Sequence, residues 1–482
     1  MADDCPHLFL EKEKRLNVAF LHYHLKPGGV TAVIKQQVEA VSREGEALTI
    51  CGEAPTMDFP GPVRLVPGMA YDGRLQATTS PAETAHEILD AIASHWKNGC
   101  DLLHVHNPTL AKNRGFLRIL RRLQSAGVPL LLQIHDFAED GRPGVYYHEP
   151  YPDDCHYAVL NTRDRAFLLH AGLKPEGVHI LPNAVAPLNA AAPARAEADK
   201  VLYPVRAIRR KNLGEAILIS LFLNPRTPLY ITLPPNSIRD ATAYENWKAF
   251  VAGQGLKVVF DAGLKNPLAM LMRSAAFVLT TSVTEGFGFT FLEPWTAGKG
   301  VWGRNLPAIT VDFVKKGMML EHLYAALNIP LTCLNADAFF EKWRVCVHAQ
   351  YAFFGLAAEN DRRIQTFIRE RRRDGCIDFG FLDESDQQQV IRHLIHSADA
   401  RQQILRLNPF LARPEKAAAD QWRVERNRRT VLNAYSPVQL ARRLKAVYRQ
   451  VAAHPLRQSI DRRRLLDCFL KPAEMRLLKW GP

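Results

Sequence analysis

The sequence predicts an α/β protein built as two doubly wound domains in tandem. Short apolar runs alternate with helical patterns from Val18 to Leu181, as in a parallel sheet covered by helices. An Ala- and Pro-rich stretch, residues 184–200, interrupts the alternation and reads as an interdomain linker. The alternation restarts at Val201 and continues to Trp302. At 482 residues the chain is long enough for two cores.

Taken in order, the first half offers apolar runs of strand length at 18–23, 102–105, 130–134, 157–160 and 179–181. Helical patterns fall between them at 31–42, 81–97, 112–126 and 164–171. The second half offers strands at 201–205, 229–233, 258–260, 277–279 and 301–302, with helices at 212–223, 243–252 and 267–275. From 310 to 433 the pattern turns mostly helical, with basic helical stretches at 362–373 and 422–429. The end reads as two amphipathic helices, 436–451 and 460–480, separated by His454-Pro455. Leu465, Leu466, Phe469 and Leu470 give the last one an apolar face that needs a partner surface. The expected division is a first domain over 1–190, a second over 191–435, and basic C-terminal helices over 436–482.

Composition narrows the class. An apolar fraction of 47 % is ordinary for a soluble protein, and no apolar run approaches the roughly 18 residues of a membrane span. The first residues lack the apolar core of a signal peptide. Eight cysteines are scattered without a Cys-x-x-Cys pair, which speaks against a zinc site or disulfide framework and for a reducing, cytoplasmic setting. Residues 401–482 hold 19 Lys and Arg against 6 Asp and Glu, so the whole net charge of +13 lies there. Such a tail is either a solvated basic face or a peripheral contact for an anionic membrane; no nucleic-acid partner is expected.

The chemistry concentrates around residues 277–303. A buried-looking strand ends in polar Thr280 to Thr284, and Glu285-Gly286-Phe287-Gly288 follows with little side chain at two positions. A helix is expected from about Thr290, with Glu293 in its first turn. A strand ending in a Gly loop that opens a helix aims backbone N–H groups at one spot, where an anionic ligand can sit. Arg206 ends an earlier strand, Arg209, Arg210 and Lys211 follow it, and Asn212 is placed to cap the next helix. Cations at a strand's C-terminal end suit a diphosphate, because ligands of open α/β sheets bind there. Gly28-Gly29 after the first strand would let backbone approach a ligand closely. No Gly-x-Gly-x-x-Gly follows the first strand and no Walker loop is present, which lowers the case for a nicotinamide enzyme or an NTPase.

His104, His106 and His135 fall at strand ends of the first domain. Such a set is structural, ligand-binding or, with less support from the spacing, metal-binding; His135 is favoured as a ligand contact because a long polar loop follows it. That loop, 136–156, carries Arg142, Tyr146 and Tyr147, which suit a polyhydroxylated acceptor or an ordinary surface excursion equally.

These motifs together resemble the retaining glycosyltransferases of family 4, which are built on the GT-B fold: two Rossmann-like domains facing a cleft, with C-terminal helices. The resemblance covers roughly residues 16–310 and 426–450. It rests on Gly28-Gly29, Leu103-His104-Val105-His106, Ile134-His135-Asp136, Leu181-Pro182-Asn183-Ala184-Val185, the Arg206/Lys211 pair, Glu285 to Glu293, and Asn433-Ala434-Tyr435-Ser436. Ala184 stands where the family has Gly, and Val205 replaces the Gly before Arg206. The resemblance implies a nucleotide-diphosphate sugar as donor substrate, a hydroxyl-bearing acceptor and no metal or other cofactor. It implies that Arg206 and Lys211 bind the diphosphate, that Glu293 holds the ribose, and that Glu285 and His135 face the donor sugar. It also places Gly28 and Gly29 near phosphate or acceptor, and the amides of Phe287, Gly288 and Phe289 near sugar and phosphate. The runner-up activities are a disaccharide phosphorylase or a sugar-nucleotide epimerase of related fold. A non-enzymatic protein that binds anionic surfaces through its tail is the remaining alternative.

Overall fold

A computed structural model describes residues 15–74, 79–188, 200–356 and 361–481. Most of the linker expected at 184–200 lies outside them. The first domain holds a seven-stranded parallel sheet of β1 (Asn17–His22), β2 (Glu46–Cys51), β3 (Val63–Leu65), β4 (Leu102–His106), β5 (Leu130–Gln133), β6 (His156–Val159) and β7 (Val178–Ile180). Their spatial order is β3-β2-β1-β4-β5-β6-β7. The second domain holds five parallel strands: β8 (Lys200–Arg206), β9 (Leu229–Leu233), β10 (Val258–Val259), β11 (Ala275–Thr280) and β12 (Val301–Gly303). They are ordered β10-β9-β8-β11-β12. In both sheets the order reverses beside the first strand, between β1 and β4 and between β8 and β11. A crevice opens at such a switch point beyond the strands' C-terminal ends.

Burial explains why these segments are strands. Val18, Ala19, Phe20 and Leu21 in β1 are all inaccessible, as are Leu102, Leu103, His104, Val105 and His106 in β4. Both sheet faces are covered, so neither strand alternates polar with apolar. β2 and β3 have no counterpart among the expected strands. β2 is Glu-Ala-Leu-Thr-Ile-Cys, a run buried on both faces, and β3 has three residues.

Helices α1 (Gly29–Val41), α2 (Pro81–His95), α3 (Phe116–Ser125) and α4 (Thr162–His170) cover the first sheet, and α5 (Leu213–Ser220) and α6 (Ile238–Gly253) begin the cover of the second. Their starts have local causes. Ser80 and Glu83 form a reciprocal capping box at α2, Asn161 accepts from the Asp164 amide at α4, and Ser237 accepts from the Asp240 amide at α6. Asn212 does not cap α5 with its side chain. Its backbone is left-handed, φ 57°, and its side-chain amide donates to Glu215 Oε2 at 2.8 Å.

The region 307–434 is helical except for an antiparallel pair, β13 (Asn328–Pro330) and β14 (Cys376–Asp378). A dry ion network ties it to the second sheet: the Arg304 guanidinium, 2 % exposed, donates to Glu215 and Asp378 at 2.5–2.9 Å. The helix Pro437–Ala453 returns to the first domain, where Leu440, Leu444, Tyr448 and Val451 pack with Val18, Phe20 and Ile34.

The expected single helix at 460–480 is instead three short pieces: Arg462–Phe469, a 3-10 turn Pro472–Glu474, and Leu477–Trp480. Its apolar residues find their partner within the chain. Leu465 and Phe469 join the first domain's core, whereas Leu466, Leu470, Leu477 and Trp480 join the second domain's. These residues are therefore used within the chain, and no helix among the described residues is long and apolar enough to cross a membrane.

Candidate active site

The strand ends of the two sheets meet across a cleft of about 210 Å³. Its second-domain wall includes Ile208, Arg209 and Arg210 after β8 and Thr284, Glu285 and Gly286 after β11, whereas Lys211 and Glu293 do not line it. Lys211 Nζ and Arg210 both pair with the carboxylate of Glu285, Arg210 at 3.1 Å, and Arg210 also donates to the Thr284 carbonyl at 2.8 Å. Burial alone would raise the Glu285 carboxyl, but Lys211 and Arg210 outweigh it and hold the group at about 2. A carboxylate flanked by two cations on one side of a cleft leaves those cations' remaining N–H donors for a second anion.

Glu293 begins the four-residue helix Glu293–Thr296, following a 3-10 turn over Phe289–Phe291 rather than a helix from Thr290. Its carboxylate makes no hydrogen bond to any described residue, and burial pushes its pKa up to about 7. A half-buried carboxyl with no partner among the described residues is free to accept from a ligand's hydroxyls. Phe287 is different: its ring lies in the core against Phe289, Phe313 and Tyr435, so only its backbone remains for a ligand. Gly288 adopts φ +90°, where a side chain is strained.

Arg206 departs from expectation. It is exposed, donates to the Pro234 carbonyl at 3.2 Å, and does not reach the Lys211–Glu285 pair. Residue 206 still belongs to strand β8, whereas the following turn aims Arg210 inward. Arg209 lines the cleft with its charge engaged by Glu384 at 2.7 and 2.9 Å.

The first-domain wall carries His135, Asp136, Asp140 and Arg142. His135 is fixed by its amide on Asn107 Oδ1 at 2.8 Å and by a ring hydrogen bond between its Nε2 and His106 Nδ1 at 2.9 Å. Burial lowers its pKa to about 4, so the ring is neutral near pH 7 and one nitrogen is left for the cleft. His104 and His106 are wholly buried behind it. No group of three or more His, Cys, Asp or Glu among the described residues is placed to hold a metal ion.

The aromatic residues expected on the acceptor side are not in the cleft. Tyr147 is a core residue whose hydroxyl donates to the Asn113 carbonyl at 2.6 Å, and Tyr146 is held between the Arg462 guanidinium and the Phe354 ring. Only Arg142 of that trio faces the cleft, paired with Asp136 at 2.7 Å. Gly28 and Gly29 open α1 at the end of β1 and do not line it either; a Cβ on Gly29 would meet nothing within 4 Å.

Two facing doubly wound domains with the cleft at both switch points define the GT-B fold, the architecture the sequence resemblance implies. No protein-family model matches the chain. A mannosylglucosyl-3-phosphoglycerate synthase from Petrotoga mobilis is 25 % identical over 407 residues, 76 % of this chain and 79 % of the relative. Among solved structures, a sucrose-phosphate synthase from Thermosynechococcus elongatus aligns over 91 % of this chain and all of its own, with TM-score 0.53 and 15 % identity. Anabaena HepE in complex with UDP and glucose aligns over 90 % and 99 %, with TM-score 0.52 and 12 % identity. A glycosyltransferase from Rickettsia africae aligns over 91 % and 99 %, with TM-score 0.54 and 11 % identity.

Proposed function

We propose that the chain is a glycosyltransferase that takes a hexosyl group from a nucleotide-diphosphate sugar and transfers it to a hydroxyl acceptor with retention of anomeric configuration. The observation that carries this reading is the Lys211–Glu285–Arg210 cluster at the mouth of β8 and β11, followed eight residues on by the half-buried Glu293, which has no hydrogen-bond partner among the described residues. Cleaving an anomeric C–O bond builds positive charge on the ring and negative charge on the departing diphosphate. Arg210 is a fixed cation lining the cleft and Lys211 shares its carboxylate, and such preorganised charge lowers the barrier without needing a metal. Glu293 accepts from the ribose hydroxyls. Glu285 orients the two cations and meets hydroxyls of the sugar, and His135 faces the same sugar from the other domain. The leaving phosphate takes the acceptor's proton in a front-side attack, so no separate base is assigned. The Anabaena neighbour was solved with UDP and glucose, and the name of the Petrotoga relative makes a sugar-linked 3-phosphoglycerate the first acceptor to try.

The test is incubation with UDP-, GDP- and ADP-sugars, following nucleotide release and the anomeric NMR signal of the product. Release that depends on acceptor, with the donor's anomeric configuration kept, is expected. No release from any of these donors removes the reading, and an inverted product removes the retaining mechanism.

A further inference from the structure

The last residues of the chain form part of the cleft wall. Leu478 and Lys479 line it beside Asp140, Gly141 and Arg142. The segment is anchored at four points along the second domain. Trp343 Nε1 donates to the Met475 carbonyl at 2.9 Å, and Arg476 pairs with Asp378 at 2.8 Å. Gln350 donates to the Trp480 carbonyl at 2.9 Å, and Arg209 to the Gly481 carbonyl at 3.3 Å. Arg239, another cleft residue, also donates to the Gly481 carbonyl. Gly141 is closely covered: a Cβ there would touch Lys479 and the Trp480 ring at 3.4 Å.

Lys479 is thus a cation held in place by a backbone that needs no ligand to be ordered. Its side chain is 15 % exposed, and Asp140 is its one hydrogen-bond acceptor among the described residues. An ammonium group has three donors, so two remain. Asp140 also lies in the fields of Arg163 and Arg142. Arg142 is also paired with Asp136 at 2.7 Å and Arg163 with Asp164 at 2.7 Å, so the three cations here are matched by three carboxylates, and what this end of the cleft offers a second anion is the two unused N–H donors of Lys479. This end stands on the first-domain side, across from Lys211 and Arg210, which the reading above assigns to the donor diphosphate. Two anions in one cleft repel unless each has its own cations.

We propose that Lys479 is a specificity-determining residue that binds the acceptor through a negatively charged group, a phosphate or a carboxylate, with Arg163 and Arg142 beside it. This rests on the glycosyltransferase reading for its orientation. A purely mechanical clamp between Lys479 and Asp140 is the competing role, and the two predict opposite responses at Asp140.

The test uses the full chain saturated with UDP, GDP or ADP and calorimetric titration with three probes: glycerol 3-phosphate, D-glycerate and glycerol. At least one anionic probe binds the wild type and glycerol does not, and which one binds separates phosphate from carboxylate. Lys479→Met weakens that binding at least tenfold, Lys479→Arg restores it, and Asp140→Asn keeps or strengthens it by freeing the ammonium. If Lys479→Met does not fold, the Arg and Asn variants carry the test. Failure of both anionic probes on the wild type, unchanged binding in Lys479→Met, or loss in Asp140→Asn equal to that in Lys479→Met overturns the proposal. Absence of binding by UDP, GDP and ADP alike counts instead against the glycosyltransferase reading itself.

Discussion

Gly286 meets His135 backbone to backbone across the cleft: a Cβ on Gly286 would lie 3.2 Å from the His135 carbonyl oxygen. Asn161 Nδ2 donates to the Gly286 carbonyl at 3.1 Å, and Thr162 bonds Asp312 nearby at 2.7 Å, so the two domains are seated on each other at this point. The obstacle to a side chain is main chain, which cannot rotate aside. Gly286→Val is therefore expected to push the loops apart and lower turnover at least tenfold, while each domain stays folded. Steady-state kinetics beside a thermal melt check this; wild-type turnover would show that the close approach is incidental.

Removing Lys211 tests the anion wall. Lys211→Met is expected to lower turnover by about 10²–10³-fold, the range for losing one preorganised electrostatic contact. Glu285→Gln leaves Lys211 and Arg210 without their carboxylate and costs about 1.5–3 kcal/mol of stability at pH 7. The sign of its pH dependence follows from the depressed pKa of Glu285. Its contribution is present above the usual carboxylate range near 4.5 and is lost as pH falls toward about 2. Denaturant melts between pH 5 and 2.5 are expected to fall less steeply for the variant than for the wild type.

Arg206 and Arg210 separate the sequence motif from the geometry. With Arg206 exposed on the Pro234 carbonyl and Arg210 on Glu285, Arg210→Ala is expected to cost turnover at least tenfold more than Arg206→Ala. The reverse order, measured on the same donor, would put the diphosphate on the outer face of the turn.

Much of this was legible in the sequence. Alternating apolar runs located ten of the strands of the two sheets to within a residue or two, because buried parallel strands are continuous apolar stretches. β3 escaped because three residues carry no period; β2, Glu46–Cys51, was passed over although its apolar run resembles those of the strands that were found. Glu285 and Glu293 were visible as carboxylates around a glycine loop. Which of four neighbouring basic residues faces inward was not, since the turn's backbone path decides it. Tyr147 lies in the expected loop but does not face the cleft, because its hydroxyl is engaged by the Asn113 carbonyl, 34 residues away in the chain. Lys479 lies 339 residues from Asp140, a distance over which no local pattern speaks.

Glu293 sets a second pH signature. Its folded-state pKa, raised to about 7 by burial, is above the unfolded value near 4.5. It therefore costs stability progressively as pH rises from about 4.5 to 7, on the order of 2–3 kcal/mol in full. Glu293→Gln is expected to stabilise the ligand-free protein at pH 8 and change little at pH 4. The same ionisation serves binding, since only the carboxylate accepts from two ribose hydroxyls. Nucleoside diphosphate affinity is expected to rise between pH 6 and 8 in the wild type and to stay flat in the variant, read by calorimetry.

The donor diphosphate is proposed to sit on Lys211 and Arg210, with the ribose on Glu293. A crystal structure of the full chain with bound UDP or GDP measures this directly. The expected result is diphosphate oxygens within hydrogen-bonding distance of Lys211 Nζ and the Arg210 guanidinium, and ribose hydroxyls on the Glu293 carboxylate. A nucleotide bound elsewhere, with the Lys211–Glu285 pair facing solvent, would contradict it.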